Sequence, residues 1–138
     1  MNHKMTGILI ISHEQLGANF LDCIVHILGD KPKLLVNHAI TSFADPETEI
    51  TKLQSTLKQL NQGNGVLILT DLYGGTPANI ARRLIQVGNI ECLAGLNLPM
   101  LLRALHYRHE PLLELINKVL AGGREGITHI TPDFNNAT

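Results

Sequence analysis

Two uninterrupted apolar runs, Gly7-Ile8-Leu9-Ile10-Ile11 and Val66-Leu67-Ile68-Leu69, constrain this chain more than any other feature. A strand with one wet face alternates apolar and polar residues. A run without alternation must be buried on both faces, as in a parallel sheet covered by helices on each side. Helical periodicity follows both runs. After the first, Leu16, Phe20, Ile24, Ile27 and Leu28 recur at helical spacing, with Ser12 expected as N-cap and Gly29 as stop. After the second, Gly74-Gly75 supply a tight turn, Thr76 suits an N-cap and Pro77 the first helical position, and Ile80, Ala81, Leu84 and Ile85 give that helix its inward face.

The rest of the chain repeats the alternation. Lys33–Ile40 reads as a second strand, and Asp45-Pro46-Glu47 opens a helix whose inward face is Ile50, Leu53, Leu57 and Leu60. Glu91–Leu96 is the fourth strand. Asn97-Leu98-Pro99 repeats the cap-then-proline device, and Pro111 starts a last helix with a stripe of Leu112, Leu115, Ile116, Val119 and Leu120 that Gly122-Gly123 is expected to end. Thr128-His129-Ile130 reads as one short closing strand, and residues 131–138 as a tail without periodicity. The expected architecture is a doubly wound α/β domain with a mostly parallel four-stranded sheet, helices on both faces and right-handed crossovers.

Composition narrows the partners. With 138 residues and 44% hydrophobic content, one core and one domain are expected over 1–138. Eleven basic and twelve acidic side chains, in no like-charged block, argue against a nucleic-acid surface. The apolar runs are strand-sized and Met1-Asn2-His3-Lys4-Met5 lacks the apolar core of a signal peptide, so a cytoplasmic protein is expected. Cys23 and Cys92 match no metal or redox spacing and read as reduced core residues.

Chemistry concentrates at two strand ends. In a small doubly wound fold, strands one and three are neighbours where the strand order reverses, and ligands collect beyond their carboxyl ends. His13 and Asp71 occupy those ends, within hydrogen-bonding reach of each other and beside the start of the third helix. A carboxylate that accepts the Nδ1 proton leaves Nε2 with an exposed lone pair, as nucleophile, base or metal ligand. No Gly-x-Ser-x-Gly elbow, no metal-spaced His/Cys/acid cluster, no P-loop and no Gly-x-Gly-x-x-Gly fingerprint occurs, and neither a metal nor another cofactor is expected. Phosphoryl chemistry fits what remains, because the protein need only position the group and offset its charge. The helix N–H groups at Gly75 and Thr76 and the Thr76 hydroxyl suit that task. Phosphohistidine is the natural product.

Four motifs now carry a resemblance: Ile10-Ile11-Ser12-His13 at a strand end, Leu69-Thr70-Asp71-Leu72-Tyr73-Gly74-Gly75-Thr76-Pro77-Ala78-Asn79, Gly95-Leu96-Asn97-Leu98-Pro99-Met100-Leu101, and Gly123-Arg124-Glu125-Gly126. In order and spacing, from about Gly7 to about Ile130, the chain resembles the mannose-family EIIA domain of the bacterial phosphoenolpyruvate:sugar phosphotransferase system (PTS). The resemblance implies that His13 takes a phosphoryl group from the carrier HPr and passes it to an EIIB component, with Asp71 as its partner carboxylate and Thr76 as a hydroxyl position. It also implies a homodimer in which a short carboxyl-terminal strand is exchanged, with the membrane involved only through a permease. The family often has glycine after the histidine. Here Glu14 adds a charge that repels a phosphoryl dianion if it points inward, and favours the helix dipole if it points outward.

Other readings stand beside this one. A regulatory EIIA, whose histidine state is read by a binding partner with no dedicated permease, shares the chemistry of His13. A response-regulator-like receiver also places an aspartate after strand three, but the first strand ends in Ser12-His13 and lacks the acid pair that magnesium needs. Asp71 can serve only to cap the Gly-Gly turn, and Thr76 only as an N-cap. Arg82-Arg83 reads as a solvated helix face before it reads as a phosphate or partner contact. The other histidines, His3, His26, His38, His106, His109 and His129, read as structural or exposed.

Overall fold

The computed structural model describes residues 4–132. Its element order is β1 (Gly7–His13), α1 (Leu16–Leu28), β2 (Leu35–Ile40), α2 (Pro46–Leu60), β3 (Val66–Thr70), α3 (Thr76–Arg82), β4 (Ile90–Ala94), α4 (Leu98–Tyr107) and α5 (Leu112–Glu125). All strand pairs are parallel, in the order β2-β1-β3-β4. The two uninterrupted apolar runs form the central strands, and Ile8 through Ile11 and Val66 through Leu69 are wholly buried. Alternate residues feed two cores. Ile8, Ile10, Leu67 and Leu69 pack with Ile24 of α1 and with α4 and α5, while Leu9, Ile11, Val66 and Ile68 meet α2 and α3 through Leu53, Leu57, Ile80 and Ala81.

Two edges of the sheet differ from expectation because of the backbone. β2 begins at Leu35, two residues after Lys33, since Leu34 takes the left-handed conformation with φ 50°. β4 ends at Ala94 because Gly95 turns away with φ 87°. The cap-then-proline devices hold: Asp45 accepts the Thr48 N–H at 3.1 Å and Asn97 accepts that of Met100 at 2.9 Å. Gly29, left-handed at φ 79°, closes α1.

Several expectations are corrected. Gly122-Gly123 does not end the last helix; α5 runs on to Glu125 because both glycines are buried where α5 crosses α4, and a Cβ on Gly123 would lie 2.6 Å from Met100 Cγ. Thr128-His129-Ile130 forms no strand within the single chain, and Ile127 and Ile130 are exposed. Of the tail over 131–138, everything from Asp133 onward lies outside the described residues. Cys23 sits exposed on α1, and only the thiol of Cys92 is largely buried, which pushes its pKa up to about 12. On α1 only Gly17 and Ile24 are buried, so Leu16, Ile27 and Leu28 stay about half exposed where a full inward stripe was expected. Ile85 falls beyond the end of α3 and is exposed as well.

A buried arginine closes the amino end of the sheet. Arg108, which follows α4, donates from Nε and Nη2 to the Thr6 carbonyl, from Nη1 to that of Lys33 and from Nη2 to that of Leu34. Its own carbonyl accepts the Thr6 N–H at 2.8 Å. Burial pulls its pKa down to about 10, which leaves it a cation at neutral pH. The clamp joins the starts of β1 and β2, and it holds the carbonyl of strained Leu34. Among the described residues no helix is long and apolar enough to cross a membrane.

Candidate functional site

His13 ends β1 and Asp71 follows β3, so the pairing of these neighbouring strands sets the two side by side. Asp71 Oδ2 accepts the backbone N–H of His13 at 3.1 Å and lies 2.9 Å from its Nδ1. A carboxylate has only acceptors, so with Asp71 ionised the Nδ1 position carries the proton and Nε2 keeps its lone pair. Exposure divides the pair by role: the His13 side chain is 44% exposed and that of Asp71 only 8%. Among the described residues the buried Asp71 Oδ1 has no hydrogen-bond partner, so the fixing of the imidazole rests on the other oxygen.

The far side of the ring rests on Gly75. A Cβ there would lie 2.6 Å from His13 Cε1 and 3.0 Å from Nε2, so only glycine lets the reactive nitrogen reach the beginning of α3. Neither Gly74 nor Gly75 has a positive φ. Close approach of the ring, not turn conformation, is what requires Gly75, and no such contact exists at Gly74. Gly75 is also the N-cap, which moves Thr76 from the expected cap to the first helical residue, and no side chain caps the helix. The amide hydrogens of Thr76 and Ala78 therefore have no intrahelical acceptor, and Pro77 has none to offer. Thr76 is exposed at this end.

Other residues singled out by sequence are placed elsewhere. Ser12 is no N-cap: it lies wholly buried within β1, and Gln15 precedes α1 without a side-chain cap. Glu14 stands in the turn before α1 with φ 50°, a conformation that costs an L-residue roughly 1 kcal/mol and glycine almost nothing. Its carboxylate is exposed and accepts from Ser42 Oγ at 3.1 Å. Arg83 makes a two-pronged ion pair with Glu47, and Arg82 lies 5.9 Å over the ring of Tyr73. His38, read as structural or exposed, pairs with Glu49 at 2.7 Å. That pair forms only once α2 crosses back over β2, and the spacing of eleven residues gives no helical or strand signal for it. Among the described residues no group of three metal-ligating side chains gathers.

A family model described as "PTS system fructose IIA component", EIIA-man, matches residues 7–120. This chain belongs to that EIIA family. It is similar to the PTS system mannose-specific EIIAB component of Escherichia coli strain K12, with 38% identity over 84 residues, which cover 59% of this chain and 26% of the relative. The chain thus spans about a quarter of the length of those relatives. The PTS system fructose-specific EIIA component of Bacillus subtilis strain 168 matches more fully, at 31% identity over 121 residues, 85% of this chain and 81% of the relative. Among solved structures, the PTS component EIIA from Streptococcus agalactiae superposes with a TM-score of 0.81 at 29% identity, covering 91% of this chain and 97% of that one. The mannose/sorbose specific IIA subunit from Enterococcus faecalis gives 0.81 at 26% identity, over 94% and 98%. The expected doubly wound fold is therefore the fold of this EIIA family.

Proposed function

We propose that this EIIA chain is a cytoplasmic phosphocarrier in which His13 Nε2 accepts a phosphoryl group from phospho-HPr and passes it to an EIIB component in sugar uptake. The observation that carries the reading is one imidazole held from two sides, with Nδ1 2.9 Å from Asp71 Oδ2 and Nε2 against Gly75 at the start of α3. In the first half-reaction the Nε2 lone pair attacks phosphorus, the bond between phosphorus and the donor nitrogen breaks, and its electron pair returns to the donor imidazole. Nδ1 keeps its proton and donates it in a hydrogen bond to Asp71 Oδ2 throughout, so no proton has to move before attack. The dianion's charge is offset in this reading by the N–H groups at the start of α3 and by the Thr76 hydroxyl, and the chemistry asks for no metal or other cofactor. The second half-reaction reverses the first onto an EIIB nucleophile. EIIB as acceptor is supported by the E. coli relative, whose name joins A and B components.

A homodimer belongs to the same reading. It is supported by apolar side chains left in the open on α1 and beyond α5, namely Leu16, Val25, Ile27, Leu28, Ile127 and Ile130.

The test is to incubate the protein with phosphoenolpyruvate, enzyme I and HPr and to weigh it intact. One acid-labile phosphoryl group, absent from His13→Ala, is the expected result. No mass gain in the folded wild type removes the reading.

A further inference from the structure

The strand order β2-β1-β3 brings three loops to one rim around His13. The turn after β1 carries Glu14, the loop after β2 carries Ser42 and Phe43, and the loop after β3 carries Leu72 and Tyr73. The side chains on this rim do not serve the core: Phe43 is 98% exposed, Tyr73 74% and Leu72 57%. None of the five described cavities is lined by His13, Glu14 or Asp71. A protein donor brings its own surface and has to lay it across this rim.

Glu14 is the rim residue whose presence local structure does not explain. Its backbone is left-handed, so glycine would remove a conformational cost, and its side chain enters no core. The carboxylate is nevertheless held in place, because Ser42 Oγ donates to Oε1 at 3.1 Å while the Glu14 N–H donates to the Ile40 carbonyl at 3.1 Å. Both bonds tie the turn beside His13 to the end of β2 and the loop after it. Other carboxylates of the neighbouring elements each face a nitrogen of the fold: Asp71 the ring of His13, Glu49 that of His38, and Glu47 the guanidinium of Arg83. Among the described residues Glu14 has a hydroxyl partner and no cation.

We propose that Glu14, positioned by Ser42, selects the protein phosphoryl donor by receiving a cation that lies beside the donor's phosphohistidine. The inference rests on His13 being the phosphoryl acceptor. A protein that carries a dianion on an imidazole has reason to hold a positive group next to it. When the phosphoryl group leaves for His13, that cation loses its counter-charge, and the Glu14 carboxylate supplies another at the neighbouring position. Phe43, Leu72 and Tyr73 supply the apolar contact around the charged pair. Glu14 touches neither the reacting nitrogen nor the phosphoryl group, so it acts on partner affinity and not on the chemical step.

The experiment compares wild type with Glu14→Gln, which keeps the side-chain shape and removes the charge, and Glu14→Lys, which reverses the charge on an unbranched side chain at an exposed position. Initial rates of His13 phosphorylation are measured from phospho-HPr at low and high salt, and from phosphoramidate, a small donor that needs no docking surface. With phospho-HPr at low salt, the KM should rise about threefold to fivefold in Glu14→Gln and about tenfold or more in Glu14→Lys, with kcat unchanged. The differences should vanish near 1 M salt, where charges separated by more than about 3 Å are screened. Phosphoramidate should load all three proteins at one rate. Equal KM values with phospho-HPr overturn the proposal while leaving His13 in its role. So does a phosphoramidate rate that changes as much as the HPr rate, since Glu14 would then act on the phosphoryl charge. Failure of wild type to load from either donor removes the His13 reading and this one together.

Discussion

At the scale of single residues, the consequential fact is that one oxygen, Asp71 Oδ2, serves both the backbone and the ring of His13. Asp71→Asn keeps the shape and changes that choice. The amide can accept through its oxygen, or turn and donate, which favours the tautomer with the proton on Nε2 and no lone pair for attack. Acceptance from phospho-HPr should fall on the order of 10²-fold. Loss of the carboxylate also relieves repulsion in the product, so the phosphohistidine should persist longer. Stopped-flow transfer equal to wild type in both directions would reduce Asp71 to a turn residue. His13 and Asp71 were legible in the sequence because strand ends can be read from apolar runs, and adjacency follows from the strand order of a small doubly wound sheet. Glu14 was not legible in its geometry. Its positive φ goes with a bond of its N–H to Ile40 on another strand, which no local pattern records. The need for glycine at position 75 was visible, but its reason was a ring from 62 residues earlier in the chain, not the turn itself.

At the scale of elements, caps were the most readable feature and helix ends the least. Asp45 accepts from both the Thr48 N–H and its hydroxyl, and these bonds hold its carboxyl below the usual aspartate range. A carboxylate with a lowered pKa in the fold contributes stability that is complete above its unfolded pKa and is lost as pH falls through the folded one. Asp45→Ala should therefore lower the urea midpoint at about pH 7, and the difference from wild type should close at about pH 2. A gap of constant size across that range would contradict the cap. Gly122-Gly123 misled for a physical reason: glycine after an apolar stripe signals a helix end, yet here it marks close passage of α5 over α4. Gly123→Ala gains intrinsic helix propensity but drives a methyl group into Met100. The net change should be a loss of about 1–3 kcal/mol in urea unfolding. A more stable Gly123→Ala protein would mean that Met100 yields freely.

At the scale of the whole molecule, two features decide how the fold is closed, one at each end of the chain. Truncation after Gly126 removes exposed Ile127 and Ile130 and should weaken the homodimer proposed above, as read by light scattering at micromolar concentration. A monomeric mass for the full chain would count against the dimer outright. The alternation of buried strands and helices made the two-faced core readable in advance. The Arg108 clamp was hidden, since a lone arginine after a helix looks solvated until three carbonyls from the segments leading into β1 and β2 gather round it. Arg108→Met keeps the bulk and leaves those acceptors unanswered, with an expected cost of about 3 kcal/mol or more in urea unfolding. A cost below about 1 kcal/mol would assign the carbonyls to other donors. The clamp also orders events in time. The guanidinium is separated from Thr6 by 102 residues, so on the ribosome the first two strands are made long before the group that fastens their beginnings. A nascent chain must hold these apolar segments unfastened until α4 has emerged, which makes closure of the sheet a late step in synthesis and the interval before it the time of greatest exposure to misassociation.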